Sequence, residues 1–390
     1  MEIMLREKRI VLLILLSVFI LRIVASSFDG YKVDIGTFKA WSIAVVNVGI
    51  SNFYSEVWCD YPPFYIYILG IIGFVSKFLS LSDPYFTILI KLPANVADIL
   101  IAYALYEGLR REVDFRVSLL GMTFYALNPG LIFNGAIWGQ VDAVSTLFVF
   151  LSVLFLLREK PEISCIFLVV SILTKLICAI IIPLIAFLII KKYDVKRILL
   201  CLCLSILTFL LISLPFFCRN PLEIFSIYFK GYEYYRYNSL SAFNLWSLFG
   251  FWKPDDTIFL LFSFKTWGMI LFFSLIIYVI YFLRKEDLFS INFASYLLFF
   301  GFYMFFTRIH ERYLFTAFAF LAVCAWLDRR FILPYLILSI TYLVNLWYAL
   351  IFLNADQFMS ANSLTYSMTI LNVGVLLSSI GKWYVEARKG

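Results

Sequence analysis

One short polar segment of the chain, residues 307–313, combines the residue types that bind phosphate groups. It contains the single histidine of the sequence, His310, between Arg308 and Arg312, and a long apolar run lies on either side of it. A guanidinium group offers a planar fork of donors that matches a phosphate, so the segment predicts a site for a bound anion. The alternative is an anchor at a membrane surface in which the arginines pair with Glu311.

A carboxylate follows the first apolar run of the chain. Asp34 lies in the segment 29–41, just before Phe38, Trp41 and Val45, which recur at near-helical spacing. A carboxylate within hydrogen-bond reach of an attacking hydroxyl can take its proton, so Asp34 is a candidate general base. The alternative is that Asp34 only caps the N-terminus of a surface helix.

Further polar residues lie inside or beside the apolar runs. Asn128 ends one run, the segment Trp-Gly-Gln-Val-Asp at 138–142 opens the next, and Asp98 and Lys175 fall within runs. Placing a polar side chain at membrane depth costs free energy, so a polar residue found there is by default a candidate for a functional role. A role in helix packing or in pairing remains open for each of them, and the Tyr-Pro-Pro sequence at 61–63 is typical of a helix start.

Composition assigns the chain to the integral membrane proteins. Hydrophobic residues make up 63% of the 390 residues, charged residues make up 15%, and the mean hydropathy is +0.93. A soluble domain carries about 25% charged residues. The net charge of +7 does not indicate nucleic-acid binding, because the basic residues gather at the ends of apolar runs. The seven cysteines show no metal or redox spacing and are expected in the core.

Basic clusters and apolar runs together predict a topology. The clusters lie at residues 6–9, 110–116, 158–160, 191–197, 284–285, 329–330 and 388–389. If all of them face the cytoplasm, the positive-inside rule is obeyed at every inner loop, and both termini lie inside. The predicted spans, twelve in number, are 10–25, 88–109, 117–134, 142–157, 163–175, 176–190, 198–216, 258–283, 289–307, 313–328, 331–352 and 364–385.

Two long loops are expected on the outer side, at residues 26–86 and 217–257. The stretch 61–79 is apolar enough to span, but a span there would move every later basic cluster to the outside. We therefore predict that it lies in the outer leaflet. The predicted fold is all-α: a polytopic membrane bundle of about twelve transmembrane helices, with amphipathic juxtamembrane helices in both outer loops.

The ordered set of motifs resembles the GT-C class of polyprenyl-phosphate-sugar-dependent glycosyltransferases. The likeness is greatest to the mannosyltransferases related to the second mannosyltransferase of glycosylphosphatidylinositol synthesis. It covers residues 29–313 and rests on Asp34 with Trp41, the 61–63 sequence, 91–98, 128–142, Lys175 and 310–313. The resemblance implies a GT-C bundle in a single domain, 1–390, with a catalytic module at 10–216, the second outer loop at 217–257 and variable helices at 258–390.

The resemblance also implies roles for individual residues. Asp34 matches the catalytic base. The expected donor phosphate or sugar contacts are Lys175, His310, Arg312, Arg308 and Lys91. The expected acceptor or sugar pocket comprises Asp29, Trp41, Tyr61, Trp138, Gln140, Asp142 and Arg236. Many members carry a close carboxylate pair, whereas here Ile35 follows Asp34 and the other carboxylate, Asp29, lies five residues upstream.

The implied reaction is an inverting transfer of a hexose, mannose first and glucose next, from a polyprenyl- or dolichyl-phosphate carrier. The acceptor is a glycan, a lipid or a protein on the outer or lumenal face of the cell membrane or endoplasmic reticulum. No cofactor or metal is required, although a divalent ion is compatible with the chemistry. A transporter or flippase of a lipid-linked substrate is the alternative, and a membrane acyltransferase is a more distant one.

Overall fold

The computed structural model describes residues 2–217 and 221–388 of the chain. Lys389 of the last basic cluster lies outside these ranges. The first half forms α1 (Glu2–Ala25), α2 (Lys32–Val48), α3 (Phe53–Glu56), α4 (Pro63–Phe78), α5 (Asp83–Leu109), α6 (Phe115–Ala126), α7 (Pro129–Ile132), α8 (Asp142–Leu157), α9 (Pro161–Ile172), α10 (Ile182–Lys192) and α11 (Val195–Ser213).

The second half continues the helical pattern. It forms α12 (Ile224–Tyr234), the two-residue strands β1 (Ile258–Phe259) and β2 (Phe262–Ser263), α13 (Phe264–Tyr281), α14 (Leu288–Phe305), α15 (Phe315–Leu327), α16 (Ile332–Asn354) and α17 (Ser363–Ala387). The strands pair antiparallel. The central helices α14 and α15 are buried along nearly their whole length.

Among the described helices, six are long and apolar enough to cross a membrane, or seven if one bent pair is taken as a single span. The six are 83–109, 195–213, 264–281, 288–305, 329–354 and 363–387. The prediction of an all-α membrane bundle is confirmed at this level. The count of twelve spans is not confirmed, since several of the predicted spans correspond to shorter helices, such as 142–157 and 161–172.

The two predicted spans that meet at Lys175 are both short in the structure. The predicted spans 163–175 and 176–190 correspond to α9, a 3₁₀ turn at Leu176–Ile181, and α10. Lys175 has an extended backbone, with φ −157° and ψ 122°, so the helix ends before it. A stretch that hydropathy divides into two spans is therefore a pair of short helices, of 12 and 11 residues, with an irregular segment between them.

Helices α2 and α4 form a paired unit after α1. They touch so closely that a Cβ on Gly73 would lie 2.0 Å from the carbonyl oxygen of Ser42. Lys39 on α2 binds Asp83 at the start of α5, with 2.7 Å between the side-chain atoms. The 16 residues of α4 extend roughly 24 Å, which is short for a span. That 61–79 lies in the outer leaflet stays a prediction.

The basic clusters meet acidic residues of neighbouring helix ends. Five ion pairs join them: Arg110 with Glu7, Lys192 with Glu159, Arg197 with Glu162, Lys191 with Glu286, and Arg330 with Glu386. We call this group the basic end of the bundle. None of these ion pairs includes a candidate site residue.

Candidate active site

Asp34 lies in the first turn of α2, with its carboxylate held by the segment between α7 and α8. Its Oδ2 atom accepts a hydrogen bond from Trp138 Nε1 at 2.9 Å and a second one from Gln140 Nε2. Among the described residues, none donates to the Oδ1 atom. One oxygen is thus fixed in place while the other is available to a hydroxyl group, which is the arrangement a general base needs.

Two glycines allow the first outer loop to approach this segment. Gly30 has φ +71°, and a Cβ there would lie 2.4 Å from the carbonyl oxygen of Ile137. Gly139 has φ +92°, and its Cβ would lie 2.4 Å from Ile35 Cδ1. Both backbones are left-handed and both contacts exclude a side chain, so these glycines decide how closely Asp34 meets Trp138 and Gln140.

The other end of the same segment forms a buried ion pair. Asp142 Oδ1 accepts from Lys175 Nζ at 2.5 Å, and Asp142 Oδ2 accepts from Asn134 Nδ2 at 3.3 Å. The ammonium group also lies 4.9 Å from the centre of the Tyr313 ring. Lys175 is therefore held by a carboxylate and an aromatic face at the break between α9 and α10.

The 307–313 segment connects α14 with α15 and is fixed through its arginines. Arg308 has a left-handed backbone, with φ 64°, and its Nε binds Asp255 Oδ2 at 2.7 Å. Arg312 Nη1 binds Glu311 Oε1 at 2.9 Å. A non-glycine residue with positive φ is uncommon, and here the Asp255 pair and a backbone hydrogen bond from Arg308 to Tyr237 (2.8 Å) hold it.

His310 lies between the rings of Tyr235 and Tyr313, with centroid distances of 5.1 and 5.4 Å. Burial lowers the pKa of His310 well below its usual range, and the charges of Arg312 and Lys175 lower it further. The imidazole is therefore neutral at physiological pH. In this environment it can donate one N–H to an anion, but it does not add a positive charge.

A cavity of about 560 Å³ lies between Lys175, the turn at Asp60 and Tyr61, and the 307–313 segment. Its polar lining comes from Asp60, Tyr61, Lys175, Arg308, His310 and Arg312. Its apolar lining comes from α13 and α14, through Phe272, Phe273, Ile276 and Phe302, and from the segment after Lys175, through Leu176, Ile177, Ala179, Ile180 and Pro183. Ile276 is about three turns into α13, so the cavity runs from a charged loop region along the apolar surface of the bundle.

Comparison with known proteins gives no guide to this site. No protein-family model matches the chain, and no curated protein matches it. The chemistry of the site is therefore inferred from its own residues and from the order of the motifs.

Eight of the residues expected at the site do not line the large cavity: Asp34, Trp138, Gln140 and Asp142, whose contacts are given above, and Lys91, Asp29, Arg236 and Trp41. Lys91 donates to the carbonyl oxygens of Ser26, Phe28 and Ile137, so its contacts favour holding the first outer loop against the α7–α8 segment. Asp29 is exposed. Arg236 is an exposed residue that pairs with Glu233.

Trp41, the last of these residues, is buried beneath the second half of the first long loop. Its Nε1 donates to the carbonyl oxygen of Trp58 at 2.8 Å, and its ring lies 5.6 Å from that of Tyr61. Tyr54 supports the same turn, because its hydroxyl donates to the Tyr61 carbonyl at 2.6 Å. Trp41 thus positions the turn at 58–61 from below.

Asp60, in this turn, is a site residue that sequence reasoning missed. It lines the cavity with Lys175 and Arg312. Burial raises the pKa of Asp60, Arg312 opposes this rise, and the nearby charge of Asp34 adds to it. The signal available was a carboxylate directly before the Tyr-Pro-Pro sequence. Among the described residues, no three His, Cys, Asp or Glu side chains gather as a metal site would require.

Proposed function

We propose that this chain is a membrane glycosyltransferase that moves a hexose from a polyprenyl-phosphate carrier to an acceptor hydroxyl. The observation that carries the proposal is the cavity whose apolar lining from α13 and α14 adjoins Lys175, His310 and Arg312. A lipid phosphate has the same two parts, an apolar chain and an anionic head. Asp34 supplies the base for the acceptor, and its charge acts on both Asp60 and Arg312.

The proposed reaction is a single inverting displacement. The acceptor hydroxyl gives its proton to Oδ1 of Asp34 and its oxygen forms a bond to the anomeric carbon of the hexose. The bond from that carbon to the phosphate oxygen breaks, and the polyprenyl phosphate leaves with the electron pair. Hydrogen bonds from Trp138 and Gln140 hold the other carboxylate oxygen, so the base is oriented before the acceptor arrives.

The leaving phosphate gains negative charge, which the cations beside the cavity stabilise. Arg312 and Lys175 supply positive charge, and the neutral His310 supplies a hydrogen-bond donor. Glu311 and Asp142 already pair with these two cations. The pairs hold the cations in a defined geometry, and they also reduce the net positive charge that the phosphate meets.

Donor affinity is expected to come mainly from the phosphate and the sugar. The isoprenoid chain leaves a lipid environment that is as apolar as the phenylalanines of α13 and α14. Its transfer into the cavity therefore changes the free energy little, and the chain serves chiefly to align the head group. This argument predicts that changes at Arg312 affect donor use more than changes in the apolar lining.

The test is sugar transfer by the purified full-length chain in phosphatidylcholine nanodiscs. The substrates are polyprenyl phosphates that carry radiolabelled mannose or, separately, glucose, offered with a membrane glycolipid fraction. We expect free polyprenyl phosphate to appear together with labelled acceptor, and we expect Asp34→Asn to abolish both. A flippase or transporter of the same carrier would move it across the bilayer of a vesicle without cleaving it, and that result would contradict the proposal.

A further inference from the structure

A second cavity adjoins the first at the turn that Trp41 supports. It has a volume of about 280 Å³ and is lined by Tyr54, Trp58, Asp60, Tyr234 and Ile227, among others. Asp60 and Ile227 also line the large cavity. One carboxylate therefore faces both spaces, and a molecule in the small cavity would lie directly beside a group bound in the large one.

The walls of the small cavity are aromatic and exposed. Trp58 is 64% exposed and Tyr234 is 67% exposed, and their ring centroids lie 6.3 Å apart at an angle of 51°. Neighbouring exposed apolar side chains beside a polar group are typical of a ligand-binding groove. The two rings come from different parts of the chain, one from the first long loop and one from the end of α12.

We infer that the small cavity binds a hexose ring of the acceptor, with the ring against Trp58 and Tyr234 and a hydroxyl donating to Asp60. The inference rests on the proposed function and extends it, because it makes the acceptor a carbohydrate. The C–H face of a pyranose is apolar and carries slight positive charge, which suits the negative face of an indole or phenol ring. Hydroxyls on the same sugar ring donate to a carboxylate through charge-assisted hydrogen bonds.

An acyl or isoprenoid chain fits this cavity less well. Such a chain would lie against the carboxylate of Asp60, which no side chain among the described residues hydrogen-bonds. Covering an ionised carboxylate with hydrocarbon is costly, whereas a sugar replaces the water that it displaces with its own hydroxyls. Asp60 therefore selects for a polyhydroxylated ligand, and its place between the two cavities brings an acceptor hydroxyl towards the donor.

The test measures binding separately from transfer. The full-length chain is placed in phosphatidylcholine nanodiscs, which avoids sugar-based detergents that would compete for the site. Methyl α-mannopyranoside and methyl α-glucopyranoside are the probes, and saturation-transfer difference NMR reports which sugar protons touch the protein. We expect the strongest signals on ring C–H protons, and we expect Trp58→Ala to weaken binding by about fivefold and Asp60→Asn by about tenfold.

Tyr85→Ala is the matched control, because Tyr85 is 65% exposed and does not line either cavity. The inference is supported if Trp58→Ala and Asp60→Asn weaken hexoside binding while Tyr85→Ala leaves it unchanged. This holds even if no transfer from the lipid carrier is found. In that case the proposed function alone fails. Sugar transfer with no saturable hexoside signal, or a signal that all three variants leave unchanged, overturns the inference and leaves the transferase proposal intact. Competition of the signal by a long-chain alcohol but not by a second hexoside also overturns it.

Discussion

At the scale of single residues, the site is built from opposed charges rather than from free cations. Lys175 pairs with Asp142, Arg312 with Glu311 and Arg308 with Asp255, and at least one partner in each pair is almost fully buried. Removing the cation leaves a buried carboxylate without its partner, which destabilises the fold as well as the site. Substitutions that keep the charge therefore give the clearest information about function.

The catalytic assignment is tested by Asp34→Asn. We expect the rate of transfer to fall by about 10²–10⁴, because an amide cannot take the proton, while the melting temperature stays close to that of the wild type. Asp29→Asn is the control, since Asp29 is exposed and belongs to the same loop. The measurement is the single-turnover rate of sugar transfer by each of the two variants. If Asp34→Asn stays near the wild-type rate, the base is another residue.

The phosphate contact is tested by Arg312→Lys. Lysine keeps the charge that pairs with Glu311 but loses the planar donor fork, so the fold should remain stable. We expect the KM for the lipid-linked donor to rise about tenfold, as the loss of one charge-assisted hydrogen bond would give, and the KM for the acceptor to stay constant. Arg236→Lys, at an exposed ion pair, should change neither. A rise in acceptor KM alone would place Arg312 in the other subsite.

For the proposed transferase, we predict a pH dependence of acceptor use that comes from Asp60. Burial raises the pKa of Asp60 above that of an exposed aspartate. As the pH falls, its carboxylate is therefore protonated at a higher pH than an exposed aspartate would be. We expect the acceptor KM to rise as the pH falls through this raised pKa, because a neutral acid accepts hydrogen bonds from a hydroxyl less strongly. Asp60→Asn should give a high acceptor KM that does not rise further as the pH falls. If the rise at low pH persists in this variant, another group is responsible for it.

At the scale of elements, the site depends on how closely α2 meets the segment between α7 and α8. Three features hold them together: the left-handed glycines at 30 and 139, the hydrogen bonds to Asp34, and the three carbonyl contacts of Lys91. The π-helical turn Phe133–Trp138 turns the Trp138 indole towards Asp34. π-Helical turns occur often at functional sites, and this one supplies the orienting donor for the base.

Gly139→Ala tests this contact. The new Cβ would lie 2.4 Å from Ile35 Cδ1, on a backbone with φ +92°, so α2 must shift or the turn must change. We expect a loss of about 1–3 kcal/mol in the free energy of unfolding and a large fall in transfer rate. Gly36→Ala is the matched control, because a Cβ there meets nothing within 4 Å and should stabilise α2 by about 0.5–1 kcal/mol. Equal behaviour of the two variants would mean that the close approach is unimportant.

At the scale of the whole molecule, basic residues and site chemistry occupy different parts of the fold. The ion pairs of the basic end join loops at helix ends, such as Lys191 with Glu286. The cavities are lined by the first long loop, the Lys175 break and the 307–313 segment. If the basic end faces the cytoplasm, as the positive-inside rule predicts, the cavities open on the outer or lumenal side.

Cysteine labelling tests that orientation. Ser55 is exposed in the first outer loop, and Lys285 is exposed between α13 and α14. We expect Ser55→Cys to react with a membrane-impermeant maleimide in intact cells, and Lys285→Cys to react only after permeabilisation. The unaltered chain gives the background from its own cysteines. The reverse pattern would place the cavities in the cytoplasm, where a donor that acts on the outer face could not reach them.

The sequence by itself determined the class of protein and several residues of the site. Hydropathy and charge clustering are local properties, so they predicted a helical membrane bundle and an orientation. The unusual residue types of 307–313, the carboxylate at 34 and the segment 138–142 also stood out against apolar surroundings. The division of the apolar stretch at Lys175 also followed from the sequence, but the lengths of the two helices beside it did not, because hydropathy does not show where an α-helix gives way to a 3₁₀ turn.

Only the tertiary structure decided which polar residues meet. The hydrogen bond from Trp138 to Asp34 joins residues 104 positions apart, and the Asp142–Lys175 pair joins residues 33 apart. The tertiary structure also brings Lys91 to three carbonyl groups and places Asp60 between two cavities. Residue type and spacing show which chemical groups a side chain carries, but not which residue it contacts in the folded chain. Contacts between distant segments depend on the packing of whole helices, and that packing leaves one oxygen of Asp34 open while it holds Asp142 in an ion pair.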